Sequence, residues 1–263
     1  MVSYKSELLI KKNIERLSKN HNIIIIDNSQ NKLLKKNLEN KFKNVKVFLH
    51  KNNGFGEAAN FGAKKTKTKY ILFCSPDNFI EKNAIIKLEQ LSKTKNDDFG
   101  LIVLSEKKEL QSQIYEIKKP VGISTFFALK KNFLKLGGFD KNFFLYFEDT
   151  DLIRRIIIKK FKIYKVPIVF NSFMGSHNPK YNYPVELNRN WHFMWSKFYY
   201  LKKYNGYFFS ILITFPYLIR SAIKIVINLR NKKKRKVYMS RFNGLINSYA
   251  LKRSWYRPNL DNK

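Results

Sequence analysis

Acidic side chains are scarce in this chain: 19 Asp plus Glu stand against 52 Lys plus Arg, a formal net charge of +33. Such a balance draws polyanions, whether nucleic acid, acidic lipid or nucleotide diphosphate, without choosing among them. Lys, Asn, Ile and Phe are all abundant, as in AT-rich coding sequence, so compositional drift explains the charge equally well. Cysteine is rarer still. A lone Cys74 excludes an intrachain disulfide and a cysteine-built zinc site, and it fits a reducing compartment. The opening stretch MVSYKSELLIKKNIERLSKN has no long apolar run and no small-residue cleavage site, which excludes a signal peptide there. No internal repeat is evident.

What is present suffices for a core. Of 263 residues, 44% are hydrophobic and 16% aromatic, enough for one large α/β domain or one domain with an appended segment. Apolar runs of strand length alternate with helical patterns through the first two thirds. Leu8 to Leu17 predicts a helix, with Leu8, Leu9, Ile10, Ile14 and Leu17 on or near one face. Ile23–Ile26 is a β-branched run of the kind buried on both sides of a parallel sheet. A helix over 32–41, a strand over 45–49, a helix from Glu57 and a strand over 70–74 follow. Later strands are expected over 99–104 and 162–170, the second interrupted by Pro167. This alternation predicts a doubly wound α/β sheet, in which ligands bind beyond the carboxyl ends of the strands.

The residues after three of these strands are polar or glycine-rich: Asp27-Asn28-Ser29, Asn53-Gly54-Phe55-Gly56 and Ser75-Pro76-Asp77. Any one of them reads as an ordinary turn, but three on one rim favour a ligand site. Gly54 and Gly56 let backbone approach a ligand closely. Asp77 reads either as an acid for a hard divalent cation or as the N-cap of a helix starting near Phe79. In FLYFEDTDLIRR, five apolar residues, 143–147, run into Glu148, Asp149 and Asp151. Helix capping accounts for acids in a first turn. It does not account for adjacent acids behind an apolar approach, which is how a general base is placed in a partly dry site. His177 follows the last strand and reads as a surface residue unless the crevice holds a metal.

In the order IIIIDNS, NNGFGEAANFGAKKTKTKYILFCSPD, LGGFDKNFFLYFEDTDLIRR and SH, the sequence resembles the family 2 glycosyltransferases of GT-A fold. It is most similar to the rhamnosyltransferase-like enzymes of bacterial surface polysaccharides. The resemblance covers about residues 2–180, and more loosely the tail from Arg189-Asn190 to Arg257-Pro258. It implies a GT-A mixed sheet flanked by helices. It also implies that Tyr4, Asp27, Asn28, Asn53, Gly54 and Asn60 line the nucleotide site. Asp77 would hold Mg²⁺ or Mn²⁺ with His177 as a second ligand, although Ser75 stands where the D-x-D pattern has its first acid. Asp149 would be the catalytic base, with Glu148 and Asp151 holding the site or the acceptor. The implied reaction is inverting transfer of a sugar, rhamnose being one candidate, from a nucleotide-diphosphate donor to a lipid-linked or polysaccharide acceptor. The family opens on a full apolar strand where this sequence has Met1-Val2-Ser3, so a start further upstream is expected.

The expected organisation is a glycosyltransferase domain over 1–185, with a nucleotide-sugar half to 95 and a catalytic half from 96, then a helical basic region over 186–263. Tyr207 to Ile219 is apolar but contains Pro216 and falls short of the about 20 residues a bilayer span needs. Arg220, Lys224 and Asn228 then recur at helical spacing, and Asn231 to Lys236 adds a cationic run. This pattern reads as an interfacial segment on an anionic membrane, at the cytoplasmic face of the inner membrane. The other reading is a buried helix pair with a solvated charge run. Trp191, Trp195, Tyr199 and Tyr200 sit at headgroup level in the first reading and in a core in the second. Two rival functions remain: a basic nucleic-acid-binding protein, which leaves the acids unexplained and for which no specific motif is present, and an inactive glycosyltransferase-like membrane partner.

Overall fold

The computed structural model describes residues 1–17, 21–95, 98–107, 112–172 and 182–257. The chain forms two compact units, and its path alternates between them. One comprises 1–140 and 149–178, the other 141–148 and 179–263.

The first unit carries every strand among the described residues. β1 (Val2–Ser3), β2 (Ile23–Asp27) and β3 (Val45–Leu49) form a parallel sheet in that order, with α1 (Glu7–Leu17) and α2 (Lys32–Lys41) supplying the crossovers. Ile10, Ile14, Ile23, Ile25, Leu34 and Leu38 pack together as its core. On α1 the buried positions are Ile10, Asn13, Ile14 and Leu17, while Leu8 is turned out to 74% exposure. Ile10, Ile14 and Leu17 of the expected face are buried, Leu8 is not, and the polar Asn13 joins that face.

The second sheet is mixed. Beyond α3 (Phe55–Lys65) come β4 (Tyr70–Phe73), β5 (Asn78–Ile80), α4 (Lys82–Thr94), β6 (Leu101–Glu106), β7 (Tyr115–Glu116), β8 (Phe126–Leu129), α5 (Lys130–Lys135), α6 (Glu148–Ile158) and β9 (Ile163–Ser172). Their order is β4-β8-β6-β9-β5, with β7 on β9; β6 and β9 run parallel and the other pairs antiparallel. Alternation along β6 and β8 divides the core into two layers. Leu101, Val103, Phe126 and Ala128 meet α3, α5 and α6 on one face, and Ile102, Leu104, Phe127 and Leu129 meet α4 on the other. Pro167 falls where the β6–β9 register shifts, between the pairs Leu104↔Val166 and Ser105↔Val169. There its missing N–H costs the ladder nothing, and Ser105 Oγ donates to Val166 O at 2.8 Å.

The second unit is helical: α7 (Asn182–Asn205), α8 (Tyr207–Ile227) and α9 (Lys232–Tyr249). Its core holds Met194, Phe198 and Leu245, and Trp191, Trp195 and Tyr200 are buried. Those aromatics are core residues, not headgroup anchors. α8 runs unbroken through Pro216, so the apolar helix is longer than the 207–219 stretch read from the sequence. Tyr207 and Ile211 before the proline and Leu218 after it pack on the same cluster, which outweighs one lost backbone hydrogen bond. At 21 residues, α8 is long and apolar enough, by length and composition, to cross a membrane.

Candidate active site

The end of β2 is organised by Asp27, which is fully buried. Its Oδ1 accepts from Ser29 Oγ (2.6 Å) and Ser3 Oγ (3.2 Å), and its Oδ2 accepts from Asn31 N (2.7 Å). The carboxylate thereby fastens β1 and the start of α2 to one strand end. Asn28, next along, turns its Nδ2 toward Gly54 O and Asn52 Oδ1, both at 3.4 Å, so two of the three polar strand ends meet. Its Oδ1 is buried with no hydrogen-bond partner among the described residues. Gly54 stands at φ 116°, which a side chain rarely adopts, and caps α3. Asn53 Nδ2 donates to Glu57 Oε1 at 2.8 Å. Tyr4 follows β1 and precedes α1, and its carbonyl accepts from Ser6 Oγ.

Asn60 on α3 behaves differently from these. Its Nδ2 donates to Phe139 O and its Oδ1 accepts from Phe139 N, both at 2.8 Å. Both ends of the amide hold the turn Gly137-Gly138-Phe139 in place.

The third strand end, Ser75-Pro76-Asp77, is tied to α1 by Asn13, whose Nδ2 donates to Asn78 O (2.9 Å) and Pro76 O (3.4 Å). Asp77 is half-buried and caps no helix: 78–80 is a strand, and α4 begins at Lys82 with Glu81 at its N-cap. The cap interpretation fails because Phe79 and Ile80 are drawn into the sheet beside β9. Cys74 is buried, which pushes its thiol up to about 12, and its Sγ lies within hydrogen-bond distance of the Ser75 and Asn78 carbonyls. Among the described residues no three of His, Cys, Asp and Glu cluster. An oxygen-only set built on Asp77 suits Mg²⁺ or Mn²⁺, which take one or two carboxylates and complete their shell with phosphate oxygens and water. His177 lies outside the described residues.

On α6 the three acids differ in what they touch. Asp151 is fully buried and accepts from Arg155 Nε at 2.8 Å, while the other guanidinium nitrogens donate to Leu136 O and Gly138 O. This ion pair locks α6 to the glycine turn that Asn60 grips from the other side. Glu148 is buried at 7% exposure, and its charge contributes to raising the Tyr146 hydroxyl pKa, whose main cause is burial. Asp149 is aimed by backbone: Ile123 N donates to Oδ2 and Thr150 N to Oδ1, each at 2.7 Å. Burial raises its pKa above the usual carboxylate value, and those hydrogen bonds only partly offset it. Tyr146 and Phe147, immediately before, take φ of 68° and 66°, two side-chain-bearing residues in the left-handed region. Paired strain of this kind persists only where surrounding packing imposes it.

Sequence reasoning missed Asn13, Arg155 and the backbone donor at Ile123. The Asp151–Arg155 pair was open to view as an i, i+4 ion pair on a helix. The other two have no sequence signal, because their partners lie far along the chain.

Strands β2 and β3 end on glycine, amide and carboxylate groups, in an α/β protein with one parallel and one mixed sheet. Residues 1–162 match the family described as glycosyl transferase family 2, and the chain belongs to that family; it is a glycosyltransferase of GT-A fold. Its sequence is similar to the rhamnosyltransferase WbbL of Escherichia coli (strain K12), with 24% identity over 233 residues covering 73% of this chain and 88% of that one. In fold it is similar to S. aureus TarS 1-349, at TM-score 0.53 and 12% identity over 97% of this chain and 91% of that one. It is also similar to GalNAc-T7, solved with UDP, GalNAc and Mn²⁺, at TM-score 0.53 and 17% identity over 65% of this chain and 42% of that one.

Proposed function

We propose that this glycosyltransferase transfers a sugar, rhamnose being the leading candidate, from a nucleoside-diphosphate donor to a lipid-linked or polysaccharide acceptor, with inversion. The observation that carries the reading is Asp149: a carboxylate with both oxygens oriented by backbone N–H groups and its pKa raised by burial. That combination makes a base more willing to take a proton than an exposed acid. Asp149 removes the acceptor hydroxyl proton while that oxygen forms its bond to the anomeric carbon. On the opposite face the bond from carbon to diphosphate oxygen breaks, and the electron pair leaves with the diphosphate. One displacement inverts the centre.

Asn28, Asn53 and Gly54 form the nucleotide side, the buried Oδ1 of Asn28 being an acceptor suited to a base or ribose donor. Tyr4 and Asp27 complete that side, Asp27 by shaping the strand end. Asn60 and Asp151 act as positioning residues on the glycine turn, and Glu148 adjoins the base in sequence. Asp77 would hold Mg²⁺ or Mn²⁺, which when bound neutralises charge on the departing diphosphate. The rhamnosyltransferase name of the WbbL relative and the UDP-GlcNAc complex of TarS support a nucleotide-sugar donor. A lipid-linked acceptor puts the enzyme at the cytoplasmic face of the inner membrane.

Calorimetric titration with UDP-, dTDP- and GDP-sugars in Mn²⁺ tests the donor half. The expected result is tight binding of one donor class that needs the metal and weakens at least ten-fold in Asp77→Ala. No binding by any donor overturns the reading.

A further inference from the structure

Helix α8 is built inside out. Its buried positions are Ser210, Thr214 and Ser221, whose hydroxyls donate back to Gly206 O, Ser210 O and Tyr217 O. Its outward positions are large and apolar. Phe208, Leu212, Phe215, Ile219, Ile223 and Val226 recur at i, i+4, i+7, i+11, i+15 and i+18, a single stripe along the helix. Phe208 is 85% exposed and Leu212 71%. Hydroxyls satisfied within their own helix and facing protein, with bulky hydrocarbon facing out, are the arrangement of a helix in contact with lipid.

Charge names the kind of lipid. Between Leu187 and Leu260 the chain has 16 Lys plus Arg and no Asp or Glu. Arg220 and Lys224 border the apolar stripe on one flank, where long side chains reach past hydrocarbon to headgroup phosphates. Five successive cations, Lys232 to Lys236, open α9 just beyond the end of α8. A nucleic acid would meet these cations but leave the Phe208–Val226 stripe in water; a neutral apolar partner would cover the stripe but leave the cations unmatched. An anionic bilayer satisfies both.

Orientation follows from what packs alongside. α7 and α9 both lie against α8 and carry Lys197, Lys202, Lys203 and the Lys232–Lys236 run. A spanning α8 would drag those charges into hydrocarbon. We propose that α8 lies in the plane of an anionic phospholipid membrane, its Phe208–Val226 stripe in the acyl region and its flanking cations on lipid phosphates. This rests on the lipid-linked acceptor only for its purpose, and it deepens the localisation given above.

Flotation of the full chain with phosphatidylcholine vesicles, with and without phosphatidylglycerol, tests it. The wild type is expected to float with the anionic vesicles. Phe208→Glu with Leu212→Glu should lower partitioning at least ten-fold in either salt condition. Lys232, Lys233 and Lys234→Gln should lower it about five-fold per cation removed, and only at low salt. Failure to float, floating unaffected by the double Glu variant, or a stable wild-type dimer that the same variant dissociates would each overturn the proposal. Donor titration on the same samples separates the two readings: variants that lose vesicles but keep the donor leave the catalytic reading intact, and vesicle capture without donor binding refutes that reading alone.

Discussion

The carboxyl of Asp149 is pulled in two directions, by burial toward the protonated form and by hydrogen bonds from Ile123 and Thr150 toward the ionised one. Burial dominates, which separates it from Asp151, whose partner is the Arg155 guanidinium. The two acids stand two residues apart yet have different surroundings, which is why the proposed proton transfer is assigned to Asp149. The glycines nearby show a similar contrast. Gly137 and Gly138 have φ of 82° and 61°, but a Cβ on Gly137 would meet open space while one on Gly138 would lie 2.3 Å from Asn60 Oδ1. Gly137→Ala should therefore cost roughly 1–2 kcal/mol from backbone strain alone. Gly138→Ala should cost clearly more and also lower activity, since it displaces the amide that grips Phe139. Thermal unfolding of both variants checks this, and equal losses would contradict it.

At the scale of elements, the segment 141–148 and helix α7 explain how the strained approach to Asp149 is imposed. Phe143 packs edge-on to Tyr199, Phe144 lies 4.4 Å from the His192 ring, Phe147 meets Phe193 and Tyr200, and Ser196 Oγ donates to Leu145 O at 2.8 Å. His192 joins this segment to the C-terminal tail: Nε2 donates to Tyr256 O at 2.8 Å, Ser254 Oγ donates to Nδ1 at 2.9 Å, and Arg257 stacks over Phe144. Burial, with the Arg257 charge adding to it, depresses the imidazole pKa from 6.5 to about 3. Between those values the unfolded chain binds the extra proton, so stability falls as pH falls through that window. The slope from this one group reaches about 1.4 kcal/mol per pH unit. Urea unfolding from pH 7 to 4 should show that slope in the wild type and a shallower one in His192→Gln; parallel curves would contradict it.

Much of this element plan was legible in the sequence. The isoleucine run, the α2 boundaries and the start of α6 within a residue follow from residue pattern. What was not legible depends on distant partners. β5 reads as a helix start until β9 is beside it, and nothing in the local pattern of α1 marks Asn13 until the Asn78 carbonyl is found beside it. His192 has no local signal at all, because its partners stand more than 60 residues away.

At the scale of the whole molecule, the chain leaves the α/β unit at residue 141 and re-enters it at Asp149. The residues leading to the acids thus belong to the helical unit, while Asp149 and Asp151 belong to the sheet unit. The excess of positive charge is likewise divided, with the acid-free region confined to the helices. The sheet unit holds Asp149 and Asp151, and the helical unit holds Glu148 together with the cations and the apolar stripe.

The central claim is that Asp149 is the base of a glycosyl transfer, and the most direct test is turnover of the bound donor by Asp149→Asn beside wild type across pH. The account predicts unchanged donor affinity, a loss of turnover of about 10²–10⁴-fold, and a wild-type acid limb at higher pH than an exposed carboxylate would give, activity falling as Asp149 gains its proton. Turnover in Asp149→Asn within a few-fold of wild type, with the same acid limb, would contradict it.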